Sequence, residues 1–267
     1  MHIKAFQTLV YRYYKRHGRD LPWRKTRDPY RILVSEIMLQ QTQVCRVIEK
    51  YELFVRSFPT IQLLAAAAFQ DVLTAWQGLG YNRRALLLHR LAKKVVSESG
   101  KIPAQRDALR NLPGIGEATS GEIMAFAFDK PVVFIETNIR SVFIHHFFHG
   151  QEAVADVEIL PFIEKALDRK HPRQWYYALM DYGVYLKTTI VNPGRQSRHY
   201  TVQSKFLGSD RQIRGMILKL LVRQKQMSLQ TLLRSVDFDK TRVRKLVSCL
   251  CREGLLKQRS SFVSIGT

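Results

Sequence analysis

Two periodicities decide what a chain can fold into, and here one of them runs for 186 residues. Apolar side chains recur three and four positions apart through this whole span, the spacing that lines one face of a helix. Strict alternation, the mark of a half-buried strand, is absent until the last ten residues. That pattern predicts an all-α core. Residues 1–17 read as an amphipathic helix ending near Gly18, and Asp28-Pro29 offers an N-cap and a first-turn proline for a helix to about Met38. Residues 42–58 place Val44, Val47, Tyr51 and Phe54 on one face and stop at Pro59; Thr60 caps the alanine-rich stretch 61–69. A short helix over 70–77 closes on Gly78-Leu79-Gly80, and a basic helix over 82–98 ends at Gly100. Helices over 105–111, 117–128, 139–148, 157–169 and 172–186 complete the run.

The stretch from Leu112 to Asn138 carries the most chemistry. Leu112-Pro113-Gly114-Ile115-Gly116 is a tight turn entered by a proline and bracketed by glycines, leading straight into a helix. Backbone N–H groups at such a helix start form an anion site, and a phosphate suits it. Beyond Pro131, Glu136 interrupts the apolar run Val132-Val133-Phe134-Ile135. A carboxylate there is costly without a task or a partner. A plain αα-hairpin with a solvated Glu accounts for the same residues.

Composition shifts after Leu186. Residues 187–209 are polar and basic, with Pro, Gly and Ser, and read as a linker. Helices over 210–225, 228–236 and 239–253 follow, with Ser228 and Asp239 as caps, then two short strands around a polar turn at 258–261. Three helices and a β-wing are the order of a winged helix. In the third, Val243, Leu246, Val247 and Leu250 face inward, leaving Arg242, Lys245, Ser248 and Arg252 outward to suit a DNA groove. The whole chain holds 43 Lys and Arg against 22 Asp and Glu, a net charge of +21. Residues 191–267 hold 16 against 4, so more than half of the excess sits in this last part. Such a surplus points to a polyanion partner; a dimerisation module with a solvated basic face is the alternative for the C-terminal part. No apolar run reaches transmembrane length, and the N-terminus does not read as a signal peptide. Cys45, Cys249 and Cys251 are too few for a disulfide scaffold, which predicts a reducing, cytoplasmic compartment, at the nucleoid if the source is prokaryotic.

Three further features sit in the first hundred residues. Glu36 is flanked by apolar residues along its helix; buried among them it has a raised pKa suited to a general acid, and a solvated helix-surface Glu is the alternative. Gln40-Gln41-Thr42-Gln43 is either a capping turn or a set of amides able to wedge into a base stack. Gly78-Leu79-Gly80-Tyr81 joins a flexible turn to an aromatic ring that suits either stacking on a base or the core.

Taken in order, Leu21-Pro22-Trp23-Arg24, the SEIMLQQTQV segment at 35–44, the WxGLGY pattern at 76–81, the turn at 112–116 and Glu136-Thr137-Asn138 resemble the helix-hairpin-helix (HhH-GPD) DNA glycosylase superfamily, closest to adenine DNA glycosylases of the MutY type. The resemblance covers roughly residues 6–186. It implies an all-α, two-lobed catalytic core over 1–186 with the DNA site between the lobes; the basic linker over 187–209 and the winged-helix-like domain over 210–267 are read from the residues and lie outside it. It implies flipping of a base and hydrolysis of its N-glycosidic bond. Glu36 matches the general acid, Glu136 the position of an aspartate that stabilises the oxocarbenium-like sugar, and Asn138 a supporting asparagine. Gln41 matches the amide that wedges into the duplex, and Leu112, Gly114, Ile115 and Gly116 the hairpin that grips phosphate, often with a monovalent cation on its carbonyls. Tyr81, Arg242, Lys245 and Arg252 complete the expected DNA contacts.

Four departures stand out, one being that a winged-helix-like module stands where the family usually carries a domain that reads the oxidised guanine opposite the adenine. Glu136 is one methylene longer than the family's aspartate, and a displacement of about 1 Å can cost 10²-fold in rate. Ala118 stands where bifunctional relatives carry a Schiff-base lysine, so a monofunctional hydrolase is expected. Many relatives place four cysteines after the core; here those positions begin with Lys187, so no iron–sulfur cluster and no other cofactor is expected. The sequence thus predicts a monomeric glycosylase acting on mismatched or damaged double-stranded DNA, adenine opposite 8-oxoguanine or G first. Removal of another base, or lesion binding without catalysis, is the alternative.

Overall fold

The computed structural model describes residues 2–266. Helices span Ile3–His17 (α1), Pro29–Leu39 (α2), Val44–Ser57 (α3), Ile61–Ala66 (α4), Phe69–Ala75 (α5), Arg83–Glu98 (α6), Arg106–Arg110 (α7), Glu117–Phe126 (α8), Thr137–Phe147 (α9), Asp156–Ala166 (α10) and Pro172–Thr189 (α11). The remainder is Asp210–Gln224 (α12), Gln226–Ser228 (β1), Leu229–Ser235 (α13), Lys240–Glu253 (α14), Leu256–Arg259 (β2) and Phe262–Ile265 (β3). None of these helices is long and apolar enough to cross a membrane.

The predicted caps form. Thr60, Ser228 and Asp239 each accept a hydrogen bond from the N–H three residues on, and Asp28 Oδ1 accepts from the Tyr30 N–H at 2.9 Å; Ser209 caps α12 in the same way, a cap the sequence does not single out. Each such cap satisfies a donor that the helix itself leaves without a partner. Several helix ends move from expectation: α4 stops at Ala66, not 69, and α10 at Ala166, not 169. α8 stops at Phe126, not 128, because Asp129 turns the chain at a φ of 53°. α11 continues to Thr189, and residues 193–196 form a 3-10 turn closed by the Asn192 side chain. A parallel bridge joins Val154 to Ser197. The first half of the expected linker is therefore ordered structure: Lys187 bonds Asn138, and Pro193 and Gly194 are buried.

The chain divides into two compact units. The first holds residues 1–32, 103–111 and 115–202. Its core is aromatic: Phe6 meets Phe143 edge-on at 5.2 Å and Trp175 at 5.9 Å, while Phe126 stacks on Tyr177 at 4.3 Å. The Leu-Pro-Trp-Arg segment serves this unit. Arg24 Nη1 and Nη2 each donate to Asp181 at 2.7 Å, and Arg19 Nε donates to the same carboxylate at 2.6 Å. Burial would raise the Asp181 pKa, but the hydrogen bonds and charge of Arg24 outweigh it and hold the group below its ordinary value.

The second unit holds residues 33–102, 112–114 and 203–267. α4 and α5 pack on α6, whose buried face carries Leu86, Leu88, Leu91 and Val95. α12 lies against α5, where Gln70 Nε2 donates to the Val222 carbonyl at 3.3 Å. The C-terminal helices surround a three-stranded antiparallel sheet of order β1-β3-β2, with Met227 opposite Val263 and Gln258 opposite the same residue. Three helices and three strands thus make up this part, one strand more than the two expected around the turn at 258–261. β1 has only three residues, too few to show alternation in the sequence.

Candidate active site

In the first unit, Glu136 is the N-cap of α9. Its backbone is extended, and Oε1 accepts from the N–H groups of Asn138 and Ile139, each at 2.7 Å. Oε2 accepts from Asn138 Nδ2 at 3.0 Å. The extra methylene that sets it apart from an aspartate folds the carboxylate back onto the helix start, where N–H groups and the helix dipole favour negative charge. A carboxylate oxygen accepts about two hydrogen bonds, so Oε1 is filled and Oε2, with one, keeps capacity for a substrate. Asn138 is seated by Gly183 on α11: a Cβ at 183 would lie 2.6 Å from the Asn138 carbonyl oxygen. One turn further along α11, Lys187 Nζ donates to Asn138 Oδ1 at 2.9 Å. Burial depresses the Lys187 pKa; Glu136 opposes that shift and Arg140 reinforces it. Arg140 is itself held by Asp156 in a two-pronged pair at 2.6 and 2.7 Å.

In the second unit, Glu36 lies on α2 with 5% of its surface exposed, and Ser35 Oγ donates to its Oε1 at 3.3 Å. The chain then turns through Gln41, whose φ of 54° is left-handed, as is Tyr81 at 45°. Side chains rarely adopt that region, and strain of this kind concentrates at functional sites. Arg84 holds both turns. Its guanidinium donates to the carbonyls of Ile37 at 2.9 Å, Met38 at 2.8 Å and Gln40, to Thr42 Oγ1 at 2.9 Å, and to Gly80 at 3.3 Å. It thereby satisfies the last carbonyls of α2. Burial pushes its pKa down to about 10. Tyr81 lies between Arg84 and Arg211 of α12: the two guanidinium carbons are 5.4 and 6.0 Å from the ring centre, and Arg211 Nη1 donates to the hydroxyl at 3.2 Å. A cleft of about 390 Å³ opens here, lined by Gln41, Tyr81, Arg83, Arg211 and Arg214 among others.

Sequence reasoning missed Arg84, Gly183, Lys187 and Arg211. Arg84 left one signal: a cation at the start of a helix opposes the helix dipole, so it needs partners elsewhere. Lys187 was read only as an absent cysteine.

The hairpin has its expected turn. Gly114 has a φ of 83°, and a Cβ there would come 3.1 Å from Leu87 Cβ, so two constraints select glycine. Leu112 and Ile115 are buried, which leaves the backbone and the exposed Gly116 to meet a phosphate. Glu117, in the first turn of α8, is neutralised by Arg110 at 2.7 Å and Arg106 at 3.1 Å. The donors of the turn are backbone carbonyls, hard neutral oxygens that fit a monovalent cation. Among the described residues no group of His, Cys, Asp and Glu could hold a metal. The three cysteines, Cys45 on α3 with Cys249 and Cys251 on α14, cannot supply the four ligands of an iron–sulfur cluster.

Two arginines of the basic face of α14 have partners within the protein. Lys245 and Ser248 are exposed as expected. Arg242 instead closes the start of α12, donating to Asp210 at 2.8 Å and to the Gly208 carbonyl at 2.9 Å. Arg252, though exposed, lines a cleft with Arg83, Leu86 and Arg90 of α6, and donates to Cys249 Sγ at 3.1 Å. The C-terminal end of α14 lies over α6, so only part of its polar face is open.

The sequence profile of the HhH-GPD superfamily of base excision DNA repair proteins matches residues 34–160. Over 254 residues the chain is 33% identical to the adenine DNA glycosylase of Mycobacterium tuberculosis, an alignment covering 82% of this chain and 79% of that one. The chain belongs to the HhH-GPD superfamily. The adenine DNA glycosylase of Rattus norvegicus is also 33% identical, over 216 residues covering 76% of this chain and 41% of the rat protein. The chain thus spans less than half the length of that relative. Among solved structures, a thermostable thymine-DNA glycosylase superimposes with a TM-score of 0.64 at 26% identity, over 72% of this chain and 90% of that one.

Proposed function

We propose that the protein is a monofunctional DNA glycosylase that flips a mispaired or damaged base from double-stranded DNA and hydrolyses its N-glycosidic bond, with adenine opposite 8-oxoguanine or G as first substrate. The observation that carries this reading is the Glu136–Asn138 cap: a carboxylate fixed by three hydrogen bonds at the start of α9, in a chain 33% identical to an adenine DNA glycosylase.

Glu36 enters as the carboxylic acid and gives its proton to the departing base. The bond from C1′ to the base nitrogen breaks, and its electron pair leaves with the base. Glu136 offsets the positive charge that develops on the sugar, an electrostatic role that needs a group already held in place. Glu36, now a carboxylate, takes a proton from the water that adds to C1′. Gln41 and Tyr81 fill the gap left in the duplex, and the 112–116 turn with Lys245 holds phosphates. The protein acts as a monomer.

The test is a panel of duplexes containing A opposite 8-oxoguanine or G, T or U opposite G, hypoxanthine and alkylated bases, with abasic sites revealed by alkaline cleavage. Excision of adenine, abolished in Glu36→Gln, is expected. Excision of T opposite G instead would keep the chemistry and change the substrate. Tight binding to lesions with no excision of any base would leave a binding protein and sink the reading.

A further inference from the structure

Among the half-buried ionisable groups that this reaction scheme leaves idle, Lys187 bonds a residue of the site directly. It sits one turn beyond Gly183 on α11, so the two share a face. The glycine admits the backbone of Asn138, and the lysine reaches around to the side chain of the same residue. We propose that Lys187 is a positioning residue for base excision: its ammonium fixes the orientation of the Asn138 carboxamide, which in turn holds Glu136 in place. This rests on the glycosylase reading above.

The argument is one of donors and acceptors. An ammonium only donates and a carboxylate only accepts, whereas a carboxamide has one end of each kind. With Lys187 Nζ at 2.9 Å from Oδ1, the amide can present only its NH₂ group to Glu136 Oε2, at 3.0 Å. Remove the ammonium and the amide can turn over, which sets its oxygen against the carboxylate. The order lysine, amide, carboxylate also does what a direct ion pair would not. The cation orients the acid through the amide, while the negative charge stays available for the sugar. Arg140, the other cation close by, is committed to Asp156 by two hydrogen bonds, so Asn138 depends on Lys187.

The experiment uses the full chain with Lys187→Met, Lys187→Arg and Asn138→Ala, alone and combined. Single-turnover excision is measured at saturating protein, with DNA affinity and Tm alongside. For Lys187→Met the rate should fall about 10-fold or more, the scale of loss from a small misplacement, with affinity and Tm nearly unchanged. Lys187→Arg should recover most of the rate. Adding Lys187→Met to Asn138→Ala should cost nothing further, because the lysine acts only through the amide. A second readout needs no substrate: the side-chain NH₂ resonances of Asn138 in the unliganded protein should be protected from exchange, and Lys187→Met should move them and speed their exchange. Unmoved resonances, an additive double variant, or a loss confined to affinity or Tm would overturn the proposal. If the wild-type protein excises no base, the NMR result still decides the positioning role, and the failure lies with the glycosylase reading.

Discussion

Glu136 shows how one methylene is absorbed. Because its carboxylate is wrapped onto the N-terminus of α9, shortening it to Asp keeps a good cap and removes only reach. Glu136→Asp should therefore hold excision within about 10-fold of wild type, while Glu136→Ala loses about 10² or more together with the cap. Equal activity in both variants, by single-turnover assay, would remove Glu136 from the mechanism. His146 supplies a second residue-scale prediction. Burial, reinforced by the charge of His145, pushes its pKa from 6.5 down to about 4, and its Nε2 lies 3.0 Å from the Tyr182 hydroxyl. A histidine that binds its proton less tightly when folded stabilises the fold above its unfolded pKa and loses that contribution as pH falls through the folded one. Urea midpoints should thus drop between pH 6.5 and about 4, and His146→Gln should flatten that slope.

At the scale of elements, the two strained turns depend on one side chain. Arg84 reaches the end of α2 and the Gly78–Tyr81 turn from the start of α6, and replacing it by Met strands several buried carbonyls. Each carbonyl left without a donor costs about 1–3 kcal/mol, so Arg84→Met should lower stability by several kcal/mol in urea unfolding. Loss under about 1 kcal/mol would mean that water replaces the guanidinium. Asp181 plays the matching part for α11. Asp181→Asn leaves Arg24 buried without its full partner and should cost about 3–5 kcal/mol, read from the same unfolding curves. Much of this was legible beforehand: the helices, their Thr60, Ser228 and Asp239 caps and the Gly114 turn all follow from local spacing. α11 past Leu186, the three-residue β1 and the altered end of α8 were not, because neighbours far along the chain fix where these elements stop.

For the whole molecule, charge governs encounter with DNA. A net +21 predicts that affinity for any duplex falls steeply with salt, by about 10³–10⁵ between 50 and 200 mM if six to ten phosphates are contacted. Lys245→Ala should lower the salt slope by about one without changing Tm, since that side chain is open to solvent. Arg242→Ala should instead lower Tm, because Arg242 ties α14 to Asp210 and Gly208. Fluorescence anisotropy across a salt series separates the two, and identical behaviour would reinstate Arg242 as an ordinary phosphate contact.

The sequence by itself determined the helical class, the turn at 112–116 and the chemistry that Glu36, Glu136 and Asn138 suit, since these rest on local spacing and residue type; the burial of Glu36 came only with the packing. Only the tertiary structure decided how the acids are held. Arg84 gathers carbonyls from two segments, Gly183 and Lys187 seat Asn138 from 45 and 49 positions away, and Arg211 reaches Tyr81 across 130. Hydrogen bonds of such long separation leave no periodicity in the chain, because nothing local requires them until the elements pack.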